Sequence, residues 1–103
     1  MTVKIALVGI AIAALLGGYT AHAGNVAAGQ KKYVLCAGCH GPTGAGNEAL
    51  KYPRLAGLRA NYVAEQLRAF KSGARDNATM RAMTAGLKDA DIENLAAYVA
   101  TLK

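Results

Sequence analysis

The chain has 103 residues, 53% of them hydrophobic and 17% charged, with a formal net charge of +6. That length allows one domain at most. The basic balance does not point to a nucleic-acid partner, because its Lys and Arg are scattered along the chain and an export signal opens it.

Residues 1–23 read MTVKIALVGIAIAALLGGYTAHA. Lys4 makes a short basic start, Ile5 to Leu16 an apolar run, and Ala21-His22-Ala23 a small-x-small cleavage site. The expectation is a secretory signal cut before Gly24, with 24–103 as the one folded domain. A membrane anchor is the competing reading, but the run is shorter than the roughly 20 apolar residues that span a bilayer. Cleavage would leave 80 residues with eleven Lys and Arg against six Asp and Glu, His40 as the one histidine, and Met80 and Met83 as the only methionines. A domain this small buries a modest share of its surface and usually needs a staple. A disulfide across two intervening residues would constrain the unfolded chain little, whereas a large apolar cofactor would do much more.

Asn25 to Leu35 fits a short helix with Val26, Gln30, Tyr33 and Val34 near one stripe. Gly29, in its middle, costs about 1 kcal/mol against alanine, which is explained either by a helix crossing close to it or by simple tolerance. Then comes CAGCH, Cys36 to His40. On a helical turn Cys36, Cys39 and His40 share a side and reach one flat object. Thioether bonds from the two sulfurs to haem vinyl groups would fix a macrocycle, with His40 beneath the iron as proximal ligand. The rival chemistries fit less well. A thioredoxin-type dithiol needs a βαβ setting, a structural zinc normally takes four Cys or His ligands where this domain has three, and a plain disulfide leaves His40 unexplained.

GPTGAGNEALKYPRLAG, residues 41–57, reads as loop; its glycines lack the following Lys-Ser or Lys-Thr and the preceding strand of a phosphate cradle. Asn61 to Lys71 is an amphipathic helix, capped by Asn61, with Val63, Leu67 and Phe70 on one face and Ser72-Gly73 as its stop. Residues 74–87 lack a firm period and read as loop with at most a helical turn. Asp89 to Leu102 is the last helix, with Ile92, Leu95, Ala96, Val99 and Leu102 at helical spacing and acidic residues crowding its start. No alternating strand pattern or internal repeat is visible, so the fold class is all-α, three to four short helices and long loops wrapped around something. With no second histidine in the domain, the sixth iron position falls to Met80 or Met83. A thioether there raises the potential and closes the site, and the other methionine is core filler.

CAGCHG, Gly29 seven residues before Cys36, YPRLAG at 52–57 and MRAMTAGLKDADIENLAAYVATLK at the end together resemble a class I c-type cytochrome, most closely one domain of the dihaem periplasmic cytochromes c of proteobacteria. The resemblance implies a cytochrome c fold around one covalent haem c and export to the periplasm. It also implies that the ligand methionine stands seven residues before the leucine that opens the last helix, which selects Met80 before Leu87. Pro53 would offer its carbonyl to the Nδ1 proton of His40, and Gly29 and Tyr98 would mark a helix crossing. The family often places Ser or Thr after that leucine; Lys88 stands here, so Asp89 is expected to cap the helix.

The function expected is a monohaem one-electron carrier, a monomer or weak dimer without stable membrane insertion, that transforms no substrate. Lys31, Lys32, Lys51, Arg54 and Arg59 would steer it to acidic patches on donor and acceptor proteins, or else only keep it soluble, and Arg54 has a haem propionate as a further possible partner. A haem subunit of a larger oxidoreductase, or a peroxide- or gas-binding protein with an open iron, are the alternatives.

Overall fold

The computed structural model describes residues 24–103, so the expected signal at 1–23 lies outside the described residues. Five helices follow one another: α1 (Val26–Lys32), α2 (Val34–His40), α3 (Ala60–Ser72), α4 (Ala78–Thr84) and α5 (Asp89–Val99). No strand forms among the described residues; a single antiparallel bridge joins Asn47 to Tyr52. The all-α class is as expected, with more helices than the three or four anticipated.

The helix expected over 25–35 is two. Asn25 caps α1 by accepting the Ala28 N–H at 2.9 Å, and Tyr33, in right-handed helical geometry, joins α1 to α2 so that CAGCH lies inside a helix. The expected apolar stripe is corrected: Tyr33 is buried, but Val26, Gln30 and Val34 are exposed, Val34 at 73%. Burial follows Gly29 and Tyr33 because these face α5. A Cβ on Gly29 would lie 1.9 Å from the Asn94 carbonyl oxygen and 2.8 Å from Tyr98 Cβ, so the two helices cross at contact distance there. The Tyr33 and Tyr98 rings pack beside this crossing, centroids 5.2 Å apart and tilted by 57°.

The core is built from Tyr33, Val63, Ala64, Leu87, Ile92, Leu95, Ala96 and Val99, contributed by α1–α2, α3, the α4–α5 connection and α5. The faces predicted for α3 and α5 supply most of it. Arg68 of α3 spans to α5, donating to Asp89 at 2.8 Å and to Glu93, and Lys71 donates to the Leu87 carbonyl.

Three boundaries differ from expectation. α3 opens one residue before Asn61, with Arg59 in extended geometry ahead of it, and closes at Gly73 with φ +86°, the left-handed cap that suits glycine. Asp89 does not cap α5: its carboxylate pairs with Arg68, and the carboxylate of Asp91 accepts the Lys88 N–H at 2.9 Å instead. That bond, with Lys32 Nζ 3.7 Å away, holds the Asp91 carboxyl below the usual carboxylate range. α5 ends at Val99, and Thr101 and Leu102 close the chain in a turn bonded to the Tyr98 and Val99 carbonyls. Finally, α4 is a helix where residues 74–87 were expected to be loop. Asn77 caps it by accepting the Met80 N–H at 2.9 Å, and Thr84 at its far end is buried. A cap and one buried side chain decide this segment, and neither leaves a period in the sequence.

Candidate cofactor site

α2, the 50–55 loop, α3, α4 and α5 enclose a cleft of about 660 Å³. Its volume falls within the roughly 300–1,000 Å³ common for small-molecule and cofactor sites. Cys36, Cys39, His40, Pro53, Met80 and Met83 all line it, so the fold brings together every residue singled out from the sequence for a cofactor role.

One wall is α2. Cys36 is half-buried, Cys39 exposed, and both are free thiols. Burial first, and then the neighbouring Cys39, push the Cys36 thiol above its ordinary value. His40, at 7% exposure, ends α2. Its Nδ1 lies 2.8 Å from the Pro53 carbonyl oxygen, and a carbonyl can only accept, so Nδ1 is the donor, which in the neutral ring leaves the lone pair on Nε2. The turn after His40 is tied down as well: Gly46 N–H donates to the His40 carbonyl at 2.8 Å, and the Tyr33 hydroxyl to the Gly41 carbonyl at 2.7 Å. Gly46 has φ +72°, and a Cβ there would sit 2.5 Å from the Tyr52 carbonyl oxygen, so the loop carrying Pro53 can close on α2 only with glycine at this position.

The other wall comes from α3 and α4. Tyr62, Gln66 and Phe70 face the cleft from α3, Met80 and Met83 from α4. Met80 is half-buried, whereas Met83 is 41% exposed. Leu35, Leu50, Tyr62 and Met83 are large apolar side chains both exposed and on the cleft lining, while Val63, Leu95 and Val99 belong to the core and the lining at once. Sequence reading had placed Val63, Phe70, Leu95 and Val99 in a core and had not named Leu50, Tyr62 or Gln66. Loop position and a half-polar helix face give these three no periodic signal.

Of the cations expected at the surface, Lys51 and Arg54 line the cleft, joined there by Arg75, which stacks 4.5 Å over the Phe70 ring. Arg54 donates to the Ala56 carbonyl at 3.2 Å. Lys32 instead reaches Asp91 on the α1–α5 side, so the five do not form one patch.

Two thiols, a buried imidazole held by a backbone carbonyl and a thioether, all lining one largely apolar cleft, fit a haem held covalently, and this defines the class as a haem-binding all-α domain. The cytochrome c family model matches residues 26–103. The chain belongs to the cytochrome c family, whose cofactor is haem c. It is 44% identical over 94 residues to the thiosulfate dehydrogenase electron acceptor of Thiomonas intermedia (strain K12), covering 91% of this chain and 43% of that protein. It is 40% identical over 79 residues to cytochrome c-554(548) of Halomonas halodenitrificans, covering 74% of this chain and 94% of that one. Among solved structures it superposes on reduced recombinant cytochrome c4 from Pseudomonas stutzeri with a TM-score of 0.73 at 33% identity, over 89% of this chain and 58% of that chain. The chain thus spans less than half the length of the Thiomonas relative.

Proposed function

We propose that this protein is a periplasmic one-electron carrier that holds one haem c through Cys36 and Cys39, with His40 and Met80 as the axial ligands. The observation that carries the reading is the 2.8 Å bond from His40 Nδ1 to the Pro53 carbonyl, made by a buried imidazole that lines the same cleft as Met80 and both cysteines. Haem iron supplies a reversible one-electron change between its ferrous and ferric states.

The chain's own residues do the rest. Pro53 fixes the ring of His40 and, by accepting its Nδ1 proton, makes Nε2 a better donor. The thioether of Met80 would be a soft ligand that favours the reduced state and leaves no open site for water, peroxide or gases. Phe70 and Val63, both buried, give the cleft an apolar lining. Lys51, Arg54 and Arg75 give its rim positive charge, which supports docking on acidic surfaces of donor and acceptor proteins. Export follows from reading residues 1–23 as a cleaved signal.

The Thiomonas relative is described as an electron acceptor for a thiosulfate dehydrogenase. That supports a second, narrower reading, in which one donor to this chain is an oxidoreductase and the chain works as its haem subunit or immediate acceptor.

The test is the absorption spectrum of the oxidised, haem-loaded protein. A low-spin spectrum with the weak far-red band of methionine sulfur on ferric iron supports the closed carrier. A high-spin spectrum without that band overturns it in favour of an open iron that binds peroxide or gases. Copurification with a dehydrogenase from a native extract separates the subunit reading from the free carrier.

A further inference from the structure

The helix that carries Met80 has little of its own to hold it. α4 is seven residues long, and isolated helices shorter than about 12–15 residues are marginal in water. Thr84 is the one residue it buries fully, at 1% exposure, and Met80 is half-buried. Both backbone polar groups of Met80 are nevertheless engaged by side chains. Asn77 Oδ1 accepts its N–H at 2.9 Å, and Thr84 Oγ1 donates to its carbonyl at 2.8 Å, with a longer reach of 3.3 Å to the Arg81 carbonyl. Met83, on the same helix, receives no side-chain hydrogen bond to its backbone among those of the described residues, and it is the more exposed of the two methionines.

A buried threonine that bonds back to a carbonyl one turn earlier is a common way to satisfy a hydroxyl. Here the pair does more than that, because the two bonds bracket one residue of a helix too short to hold itself. One clamp sits at the start of α4 and the other at its end. Together they fix the Cα of Met80, and so the point from which its sulfur reaches into the cleft.

We propose that Asn77 and Thr84 are positioning residues for Met80, and that they set how readily its sulfur gives up the sixth position to a competing ligand. The inference rests on the reading of Met80 as that ligand. A partner that loosened either bond would weaken the hold on Met80 without disturbing His40, whose support from Pro53 lies in a different loop.

The experiment is an imidazole titration of the oxidised, haem-loaded protein, followed by loss of the far-red band. Imidazole must displace the methionine, so its apparent affinity reports the strength of the clamp. Thr84→Val, which keeps the branched shape and removes the hydroxyl, and Asn77→Ala should each raise that affinity by roughly five- to tenfold, the effect of one lost hydrogen bond. Thr84→Ser should stay within about twofold of the unmodified protein, since it restores the donor. Thr101→Val serves as the control, because it removes a hydroxyl bonded to the Tyr98 carbonyl at 2.6 Å, away from the cleft, and should change nothing.

If the band is lost in Met80→Ala and kept in Met83→Ala, and both Thr84→Val and Asn77→Ala bind imidazole as the unmodified protein does, the clamp is refuted while the ligand stands; if the band is lost in Met83→Ala instead, the assignment of Met80 fails and the clamp with it. If the unmodified protein shows no band, the assignment of Met80 fails, and the clamp with it. Should Thr84→Val fail to mature, Asn77→Ala decides alone, since Asn77 is exposed and its loss does not cut into the core.

Discussion

Tyr33 serves the core and the candidate site at once. Its ring sits in the core, its hydroxyl holds the Gly41 carbonyl just after His40, and its pKa is raised from 10.0 to about 12, first by burial and then by the charges of Cys36 and Tyr98. Thioether formation at Cys36, as proposed, would remove its charge and leave the burial. A folded-state value above the unfolded one means that folding is favoured by the protonated phenol. That stability is complete below pH 10 and is lost as pH rises toward about 12. Tyr33→Phe should therefore lower stability at neutral pH by about 0.5–1.5 kcal/mol through the lost hydrogen bond. It should also flatten the alkaline decline, which denaturant midpoints from pH 8 to 12 would reveal. The two methionines separate at the same scale. Met80→Ala should abolish the far-red band and lower the reduction potential markedly, while Met83→Ala should keep the band and cost little, since its side chain is 41% exposed. Voltammetry alongside the ferric spectrum checks both, and the opposite pattern would reassign the ligand.

Between elements, the crossing of α1 and α5 leaves no room for a side chain at Gly29. Gly29→Ala would place a methyl group 1.9 Å from a backbone oxygen that belongs to a helix and cannot rotate away. The helices must separate, and overpacking of this kind typically costs about 1–3 kcal/mol or more. Thermal unfolding of the haem-loaded variant should show a lowered midpoint, with its absorption spectrum unchanged at low temperature; an unchanged midpoint would mean that the helices do not touch there. The residues alone offered this glycine two explanations, because a crossing is a relation between distant residues; the resemblance pointed to a crossing with Tyr98, and the approach of Gly29 to Asn94 and Tyr98 bears that out. The same distinction runs through the other elements. α3 and α5 were legible because each buries an apolar stripe at helical spacing, and CAGCH was legible because its three functional groups are adjacent in sequence. α4 was not, since Asn77 and Thr84 hold it through side-chain bonds that carry no period. Asp89 was misread as a cap because its partner Arg68 lies 21 residues away. The His40–Pro53 bond, 13 residues apart, was reached through resemblance rather than spacing.

At the scale of the whole molecule, the core and the cleft share a wall. Val63, Leu95 and Val99 are core residues that also line the cleft, and Leu35, Leu50 and Tyr62 present apolar surface to it. Residues 41–57, folded back on themselves by the Asn47–Tyr52 bridge, reach the helices through few core side chains, so the loop carrying Pro53 depends on what it encloses. A domain of this size rarely gains more than about 3–5 kcal/mol from its core alone. Haem seated in the cleft would complete the core from its open side, and the two thioethers would keep it there through every unfolding excursion. The double substitution Cys36→Ser with Cys39→Ser removes that covalent tether and leaves the helix-forming sequence otherwise intact. Far-ultraviolet circular dichroism of this variant should show little helix and no cooperative thermal transition near 25 °C. Each single substitution, which keeps one thioether, should fold with a lowered midpoint. A double variant that stayed helical and melted cooperatively near the native midpoint would show that the α1, α3 and α5 packing is sufficient by itself, and that the haem is a passenger in a fold that does not need it.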